Sequence, residues 1–450
     1  MFILPTRLVI FLFVLCSAIC LNAVPGFAKN RIRAGVARTD ITPPLGTPLR
    51  GYYVERLASA VHDPLFAKAL VIQDGQNTIV LVFLDLIDVP EIAVKKARAE
   101  IAAKFKVPYA NISVSSTHTH TGPLFNNTYE LMVADRISEA VEKAFGNLQE
   151  VTIKSGKGTE EHISFQRRYM MKDGTVKFNP GILNPEIVRP MGPIDPEIGI
   201  LYLERTDQKP LAVLVNFALH LDTAGGTEIS ADFPMYLQQQ IGKAIGEDVL
   251  VLFGLGTCGN VNHINVKEAS TLNGFARTES IGNTLAADVI KAIPAMKVQR
   301  IKKITVKREE LKLTIPEYTT AQINAARINA KKVSTHGSST PEIREAMKIL
   351  RVHDRQGKPI DAEVQVFGLG DVGIVTLPGE IFVELGLAIK KGSSFPNTFI
   401  FTLSNNSTGY IPDAPAYAYG AYEVEVSRVV KGQGERLVES ALKMIHEIRK

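Results

Sequence analysis

Tryptophan is absent from this chain and cysteine nearly so, with three thiols in 450 residues, at Cys16, Cys20 and Cys258. Two of them fall in the first 28 residues. A chain that loses this stretch keeps one thiol, can form no internal disulfide and must be held together by its core. Charge of one sign is also scarce: the formal net charge is +5, and no block of lysines and arginines interleaved with aromatics occurs. That pattern speaks against a nucleic-acid partner. Repeats, low-complexity tracts and apolar runs of membrane-spanning length are missing too. The longest early apolar run, Leu8 to Leu21, has 14 residues, short of the roughly 20 that a helix needs to cross a bilayer.

What is present at the amino terminus fits export. Arg7 precedes that apolar run, and Gly26 and Ala28 offer small-residue cleavage positions before Lys29. Residues 1–28 read as a secretory signal, so the protein is expected to be secreted or periplasmic; an uncleaved N-terminal anchor is the competing reading. Residues 29–450 read as one catalytic domain.

Within that domain, β-rich apolar runs recur at Thr78-IVLVFLDLID, Asn111-ISVSS, Leu211-AVLVNFALH, Val249-LVLFGLG, Val366-FGLGDVGIVTLPGE and Thr398-FIFTLSN. Segments with apolar residues at three-to-four spacing lie between them, among them Glu91-IAVKKARAEIAAKF, Met235-YLQQQIGKAIG and Ile281-GNTLAADVIKAI. Unbroken apolar strands alternating with helices predict an α/β fold with a buried, largely parallel or mixed sheet flanked by helices, and a site at the carboxyl ends of the strands. Residues 318–360 lack a strand signal and read as a helical surface insertion beside that site. The chain closes with an amphipathic helix from Gly434, with Leu437, Leu442, Ile445 and Ile448 inward and His446 among charged residues in solvent.

Polar residues stand where the apolar runs stop. The stretch SSTHTHTGP follows the run at 111–116, and a chain with nine histidines spends two of them at His118 and His120. In extended backbone, residues two apart share a face, so both imidazoles can converge on one point. His220 and Asp222, Cys258 with GNVNHIN, Glu380, and Asn405 with NSTGY occupy other run ends. A catalytic zinc takes three protein ligands of His or carboxylate type and keeps a position for water. His118, His220 and Glu380 would supply two imidazoles and a carboxylate, with Tyr410 to complete or tune the set. Singly, His220 also reads as a satisfied core histidine, Glu380 as a helix-start carboxylate and Tyr410 as packing. Cys258, on a buried-looking strand end, reads as a small inert hydrophobe rather than a nucleophile.

Over nearly all of the mature chain the sequence resembles the neutral, non-lysosomal ceramidases, zinc amidases that release a fatty acid from ceramide. The resemblance runs through Ala34-GVARTDITPPLG, Gly51-YY, SSTHTHTGP, Val215-NFALH, Ser230-ADFPMYL, Val249-LVLFGLGTCGNVN, Val375-TLPGE and Leu403-SNNSTGYIPDAPAYAYGAYE. It implies one Zn2+ per chain held by His118, His220, Glu380 and Tyr410. It places His120 by hydrogen bond near the attacking water or the scissile carbonyl, with a part in carrying protons to the leaving amine. Arg167 in Ser164-FQRRY and Tyr422 in AYE match an arginine and a tyrosine that would stabilise the oxyanion.

Departures from the family pattern concern the substrate rather than the metal. The family's substrate-contacting serine falls on Asn262, neighbouring His263 has no counterpart there, and Asp222 follows the second His in place of the family's residue. These three are expected to bind substrate. Gly122-Pro is followed by Leu124 and Phe125 where the family has two glycines, and the β-sandwich domain of longer members is not expected. The resulting expectation is a secreted zinc amidase acting on an N-acyl lipid or related small molecule, with a membrane-surface encounter. Its alternatives are a zinc hydrolase of a polar amide, ester or carbohydrate-derived substrate, or a non-catalytic binding protein on the same scaffold.

Overall fold

The computed structural model describes residues 31–332 and 340–450. Residues 1–28, expected from the sequence to be a secretory signal, and most of the Ser334-THGSSTPE stretch lie outside the described residues. Three parallel strand pairs organise the rest. Parallel neighbours cannot be joined by a tight turn and need a crossover, and each pair has one: β3 (Thr78–Leu84), α1 (Glu91–Phe105) and β4 (Ile112–Ser116); β7 (Pro210–Phe217), α3 (Phe233–Ile245) and β8 (Leu250–Leu255); β11 (Val372–Thr376), α7 (Val383–Gly392) and β12 (Asn397–Phe401). These six strands are the apolar runs of the sequence.

The main sheet is mixed, as one of the two expected forms. Its path runs β8-β7-β6-β5-β1-β2-β3-β4, where β1 is Arg33–Asp40, β2 is Phe66–Gln73, β5 is Gln149–Thr159 and β6 is Glu197–Arg205, and a short ninth strand pairs with β5. Only the two outermost pairs are parallel. The five pairings between them are antiparallel. The sheet turns far enough along its path that β8 touches β3 and β4 at the opposite end. The right-handed twist carried by every strand pair accounts for this closure.

A second sheet, unforeseen in the sequence, follows the order β9-β10-β11-β12, with β9 at Ile304–Leu313 and β10 at Ile360–Leu369. It packs against the inner face of the first. Leu70, Phe83, Leu201 and Leu214 meet Phe367, Ile374, Phe399 and Phe401 there, all buried. The outer face of the first sheet is covered by α1 and α2 (Asn127–Gly146) at one end, and by α3 and α4 (Gly274–Ala292) at the other. Helices α7 and α9 (Gln433–Arg449) cover the second sheet. A strand covered by a helix on one face and a sheet on the other is apolar throughout, so its sequence does not reveal which cover it has.

Between β9 and β10 the chain makes α5 (Thr320–Ala330) and α6 (Pro341–His353), which pack on each other through Ala326, Ala346 and Ile349. The closing helix turns Leu437, Met444 and Ile445 into the core, with Leu442 and Ile448 at its margin, while His446 stays exposed beside the Gly392 carbonyl.

One buried charge pair ties a crossover helix to the second sheet. Arg98 of α1, 2% exposed, meets Glu363 of β10 at 2.7 Å, and Glu363 also takes Arg308 and the Asn405 amide. Removing the carboxylate would leave Arg98 buried without its counter-charge, a change that costs about 3–5 kcal/mol. Glu363→Ala is therefore expected to lower the unfolding free energy by about that amount in chemical denaturation; an effect below ~1 kcal/mol would show that the pair carries little of the sheet-to-helix attachment.

Candidate metal centre

The carboxyl ends of all six crossover strands meet at one place. β3 runs into Ile87, whose carbonyl meets His118, β4 into His118 and His120, β7 into His220, β8 into Cys258 and Gly259, β11 into Glu380, and β12 into Tyr410. Glu380 and Tyr410 are themselves register partners of a two-residue parallel pairing, so each fixes the other's backbone. The loop after β12 binds the strands together: Ser115 bridges to Ser404, the Asn405 N–H donates to the Val114 carbonyl, and the Thr402 N–H donates to the Leu255 carbonyl.

Three imidazoles converge here. His118 Nε2 lies 3.0 Å from His220 Nε2 and 3.4 Å from His120 Nε2, and the last two are 3.1 Å apart. On the far side of each ring Nδ1 faces a backbone carbonyl: Ile87 for His118, Gly51 for His120 at 3.0 Å, and Cys258 for His220 at 3.5 Å. A carbonyl can only accept, so it selects the tautomer with the proton on Nδ1 and leaves the Nε2 lone pair facing the centre. His220 is held less firmly, because Arg167 Nη1 also approaches its Nδ1, at 3.4 Å. A cation at Nε2 would select the tautomer that donates to Cys258.

These separations suit a metal. Nitrogens bound tetrahedrally to zinc at about 2.0–2.1 Å stand roughly 3.3 Å from one another. Glu380 Oε2 is 3.3 Å from His118 Nε2 and is otherwise buried without a hydrogen-bond partner. Among the described residues, His118, His120 and His220 form the one set of three that could close on an ion. Imidazole with carboxylate is a donor set that suits a divalent transition metal, zinc among them.

Local sequence explains the precision. His118 adopts φ 80°, left-handed for a non-glycine residue, as do Leu403, Asn405 and Ala421 nearby; such residues each cost on the order of 1–3 kcal/mol and persist where their surroundings hold them. Gly51 has φ +113°, and a Cβ there would stand 2.8 Å from His120 Nδ1. Only glycine can bring its carbonyl so close to this ring.

Electrostatics set His118 apart from the other two imidazoles. Burial pushes the His120 imidazole down to about 4, with His118 adding to the effect, and His220 is also held well below its ordinary value by burial and by His118. For His118 burial acts in the same direction, but the Glu380 carboxylate overrides it and raises the imidazole. Burial would raise Glu380; the charge of His118 and the Tyr410 hydroxyl hold it lower and ionised. Tyr410 and Tyr422 are both driven well above the usual phenol range, by burial first, so both keep their protons.

Arg167, at 2% exposure, is fully engaged. Nε meets Glu423 at 2.9 Å, and Nη2 donates to the Gly259 carbonyl at 2.7 Å and to the Tyr410 hydroxyl at 3.1 Å. The buried Glu423 also holds Arg168 at 2.7 Å. Sequence inspection missed Glu423, although its place directly after Tyr422 in AYE was a signal. Cys258 Sγ stands 3.8 Å from His220 Nδ1, and burial raises this thiol, so no thiolate forms to act as a nucleophile.

A cavity of about 860 Å³ opens over the cluster. His120, His220, Arg167, Tyr410 and Tyr422 line its floor, Tyr52, Val176, Phe178 and Ile264 its apolar wall, and Asp222 and His263 a polar patch. Pro341 and Arg344 of α6 form part of the mouth, where Arg344 pairs with Glu425 at 2.6 Å. Volume alone does not single the site out. A cavity of about 880 Å³ lies on the outer face over the buried Lys68–Asp85 pair, away from the imidazoles.

Two residues sit differently from expectation. Asn262, expected to bind substrate, does not line the cavity: it is fully buried, donates to Asn179 Oδ1 at 3.1 Å and accepts from the Ile264 N–H at 3.0 Å. In the two-residue strand Val261–Asn262 it faces inward, and the next residue, His263, turns to the cavity. Asn262 props the wall instead. His120, expected beside the attacking water, carries its Nε2 inside the cluster itself, with geometry matching the other two imidazoles.

No protein-family model matches the sequence. Solved structures do match in fold. The neutral ceramidase from Pseudomonas aeruginosa superposes with a TM-score of 0.74 at 18% identity, over 93% of this chain and 74% of that one. A ceramidase complexed with C2 gives 0.73 at 17% identity, over 93% and 75%. The chain has a ceramidase-like fold.

Gly51→Ala is expected to push the His120 ring out of the cluster and weaken zinc binding about 10–100-fold, the usual loss when a group that orients a metal ligand is disturbed. Competition against a fluorescent zinc chelator measures it. Unchanged affinity would mean that His120 contributes no donor.

Proposed function

We propose that this chain is a zinc-dependent hydrolase that cleaves the amide bond of an N-acyl amphiphile. The observation that carries this reading is the set of three Nε2 atoms within 3.4 Å of one another, each ring backed by a carbonyl at Nδ1, which favours a lone pair on Nε2. Lone pairs so placed repel unless a cation lies between them. His118, His120 and His220 would hold the ion, with Glu380 Oε2 closing the set. Bound there, zinc would polarise a substrate carbonyl and lower the pKa of water toward neutrality.

The remaining residues act on the substrate. Tyr422 keeps its phenolic proton and faces the cavity, where it can donate to an oxygen that gains negative charge. Arg167 supplies positive charge to the same region, and Glu423 and Gly259 hold its guanidinium in place. Tyr52, Val176, Phe178 and Ile264 favour an acyl chain, while Asp222 and His263 favour a polar group on the amine side. The fold supports the same reading, since structures described as ceramidases share it. Glu380 and Tyr410 support the metal reading jointly, as a carboxylate kept ionised beside His118. The leader-like segment at 1–28 supports export.

Elemental analysis tests the proposal. About one zinc per chain is expected, lost in His220→Ala and Glu380→Ala together with chelator-sensitive turnover of an N-acyl amide. Free zinc a thousandfold above its Kd should add about 4 kcal/mol to the unfolding free energy. A folded wild-type protein that takes up no zinc would sink the reading.

A further inference from the structure

Hydrolysis of an unactivated amide needs a proton for the departing nitrogen, and imidazoles that hold an ion through Nε2 and a carbonyl through Nδ1 have none free to give. His120 has Nδ1 on the Gly51 carbonyl and Nε2 in the cluster; His118 is likewise committed at both nitrogens. Arg167 is engaged on every side, and an arginine does not part with its proton. Another group must move the proton.

One histidine on the cavity wall is free to do so. His263 Nδ1 lies 3.1 Å from Asp222 Oδ1, and no hydrogen-bond partner meets its Nε2 among the described residues. Asp222 follows His220 by two residues and lies near His120, so the pair borders the cluster. The surroundings hold the pair in place: the Arg277 guanidinium donates to the His263 carbonyl at 3.1 Å, and Asn262 fixes the following turn through the Ile264 N–H. An imidazole with a carboxylate on Nδ1 and an open Nε2 is the arrangement in which histidine takes a proton from one reacting atom and gives it to another.

We propose that His263, positioned by Asp222, carries the proton from the attacking water to the leaving amine. The inference rests on the amidase reading above. In the step, the water oxygen bonds to the acyl carbon while one water proton moves to His263 Nε2, and Asp222 balances the imidazolium. The C–N bond then breaks, its electron pair stays with nitrogen, and that nitrogen takes the proton from Nε2. The products are the carboxylic acid and the amine, and His263 returns neutral. Tyr52, Asp222 and His120 are the other titratable groups facing this part of the cavity.

The test compares two substrates that share an acyl chain: an N-alkyl amide, whose nitrogen must be protonated to leave, and a p-nitrophenyl ester, whose phenolate leaves without a proton. His263→Gln is expected to lower amide turnover about 100-fold or more and ester turnover far less, with zinc content unchanged. Asp222→Asn should shift the amide-to-ester ratio in the same direction. Equal losses on both substrates, or no loss on the amide, would overturn the role of His263 and leave the zinc amidase intact. A zinc-loaded wild type that turns over neither substrate would overturn the amidase reading and the shuttle with it.

Discussion

Three imidazoles aimed at one another through Nε2 are held by the surrounding chain, much of which serves to keep them there. Each ring is pinned from behind by a carbonyl that belongs to a different stretch: Ile87 after β3, Gly51 in an early loop, and Cys258 after β8. No single element could supply all three. The requirement is met because parallel strand pairs at both ends of the main sheet, and a third in the second sheet, deliver their carboxyl ends to one spot. The curling of the main sheet, which brings β8 against β3 and β4, is thus a condition of the site.

Charge follows the same logic. Deep burial would make Glu380 and Arg167 costly were they alone. Glu380 is offset by His118 and Tyr410; Arg167 is offset by Glu423, which sits between two arginines. The chain Glu380, Tyr410, Arg167, Glu423, Arg168 links carboxylates and guanidiniums, with the neutral Tyr410 hydroxyl between the first two charges, through a region that solvent barely enters. Truncating any member leaves its neighbours uncompensated, so these residues are coupled in energy although they span more than 250 positions in sequence.

Much of this was legible beforehand. The apolar runs marked the six crossover strands, and polar residues at their ends marked the site, because an α/β fold puts chemistry where a strand stops. Helix α1 was readable to its ends, Glu91 to Phe105, where Pro90 precedes it and the left-handed Lys106 follows. The second sheet was not legible. Strands β9 to β12 bury one face on another sheet, and unbroken apolar sequence reads the same under a helix. Nor could sequence show that Asn262 faces inward, a matter of one residue of register in a two-residue strand. The backbone carbonyls that orient the imidazoles carry no side-chain signature at all.

The helices α5 and α6 have a consequence of their own. They are inserted between two hydrogen-bonded neighbours, β9 and β10, whose register is continuous from Ile304↔Leu369 to Leu313↔Ile360. The insertion therefore hangs from a seam that closes beneath it, and its far helix reaches the mouth through Pro341 and Arg344. Rim and cluster are thus carried by separate parts of the molecule: the segment that contributes Pro341 and Arg344 can change in length or composition without moving a strand that carries the imidazoles.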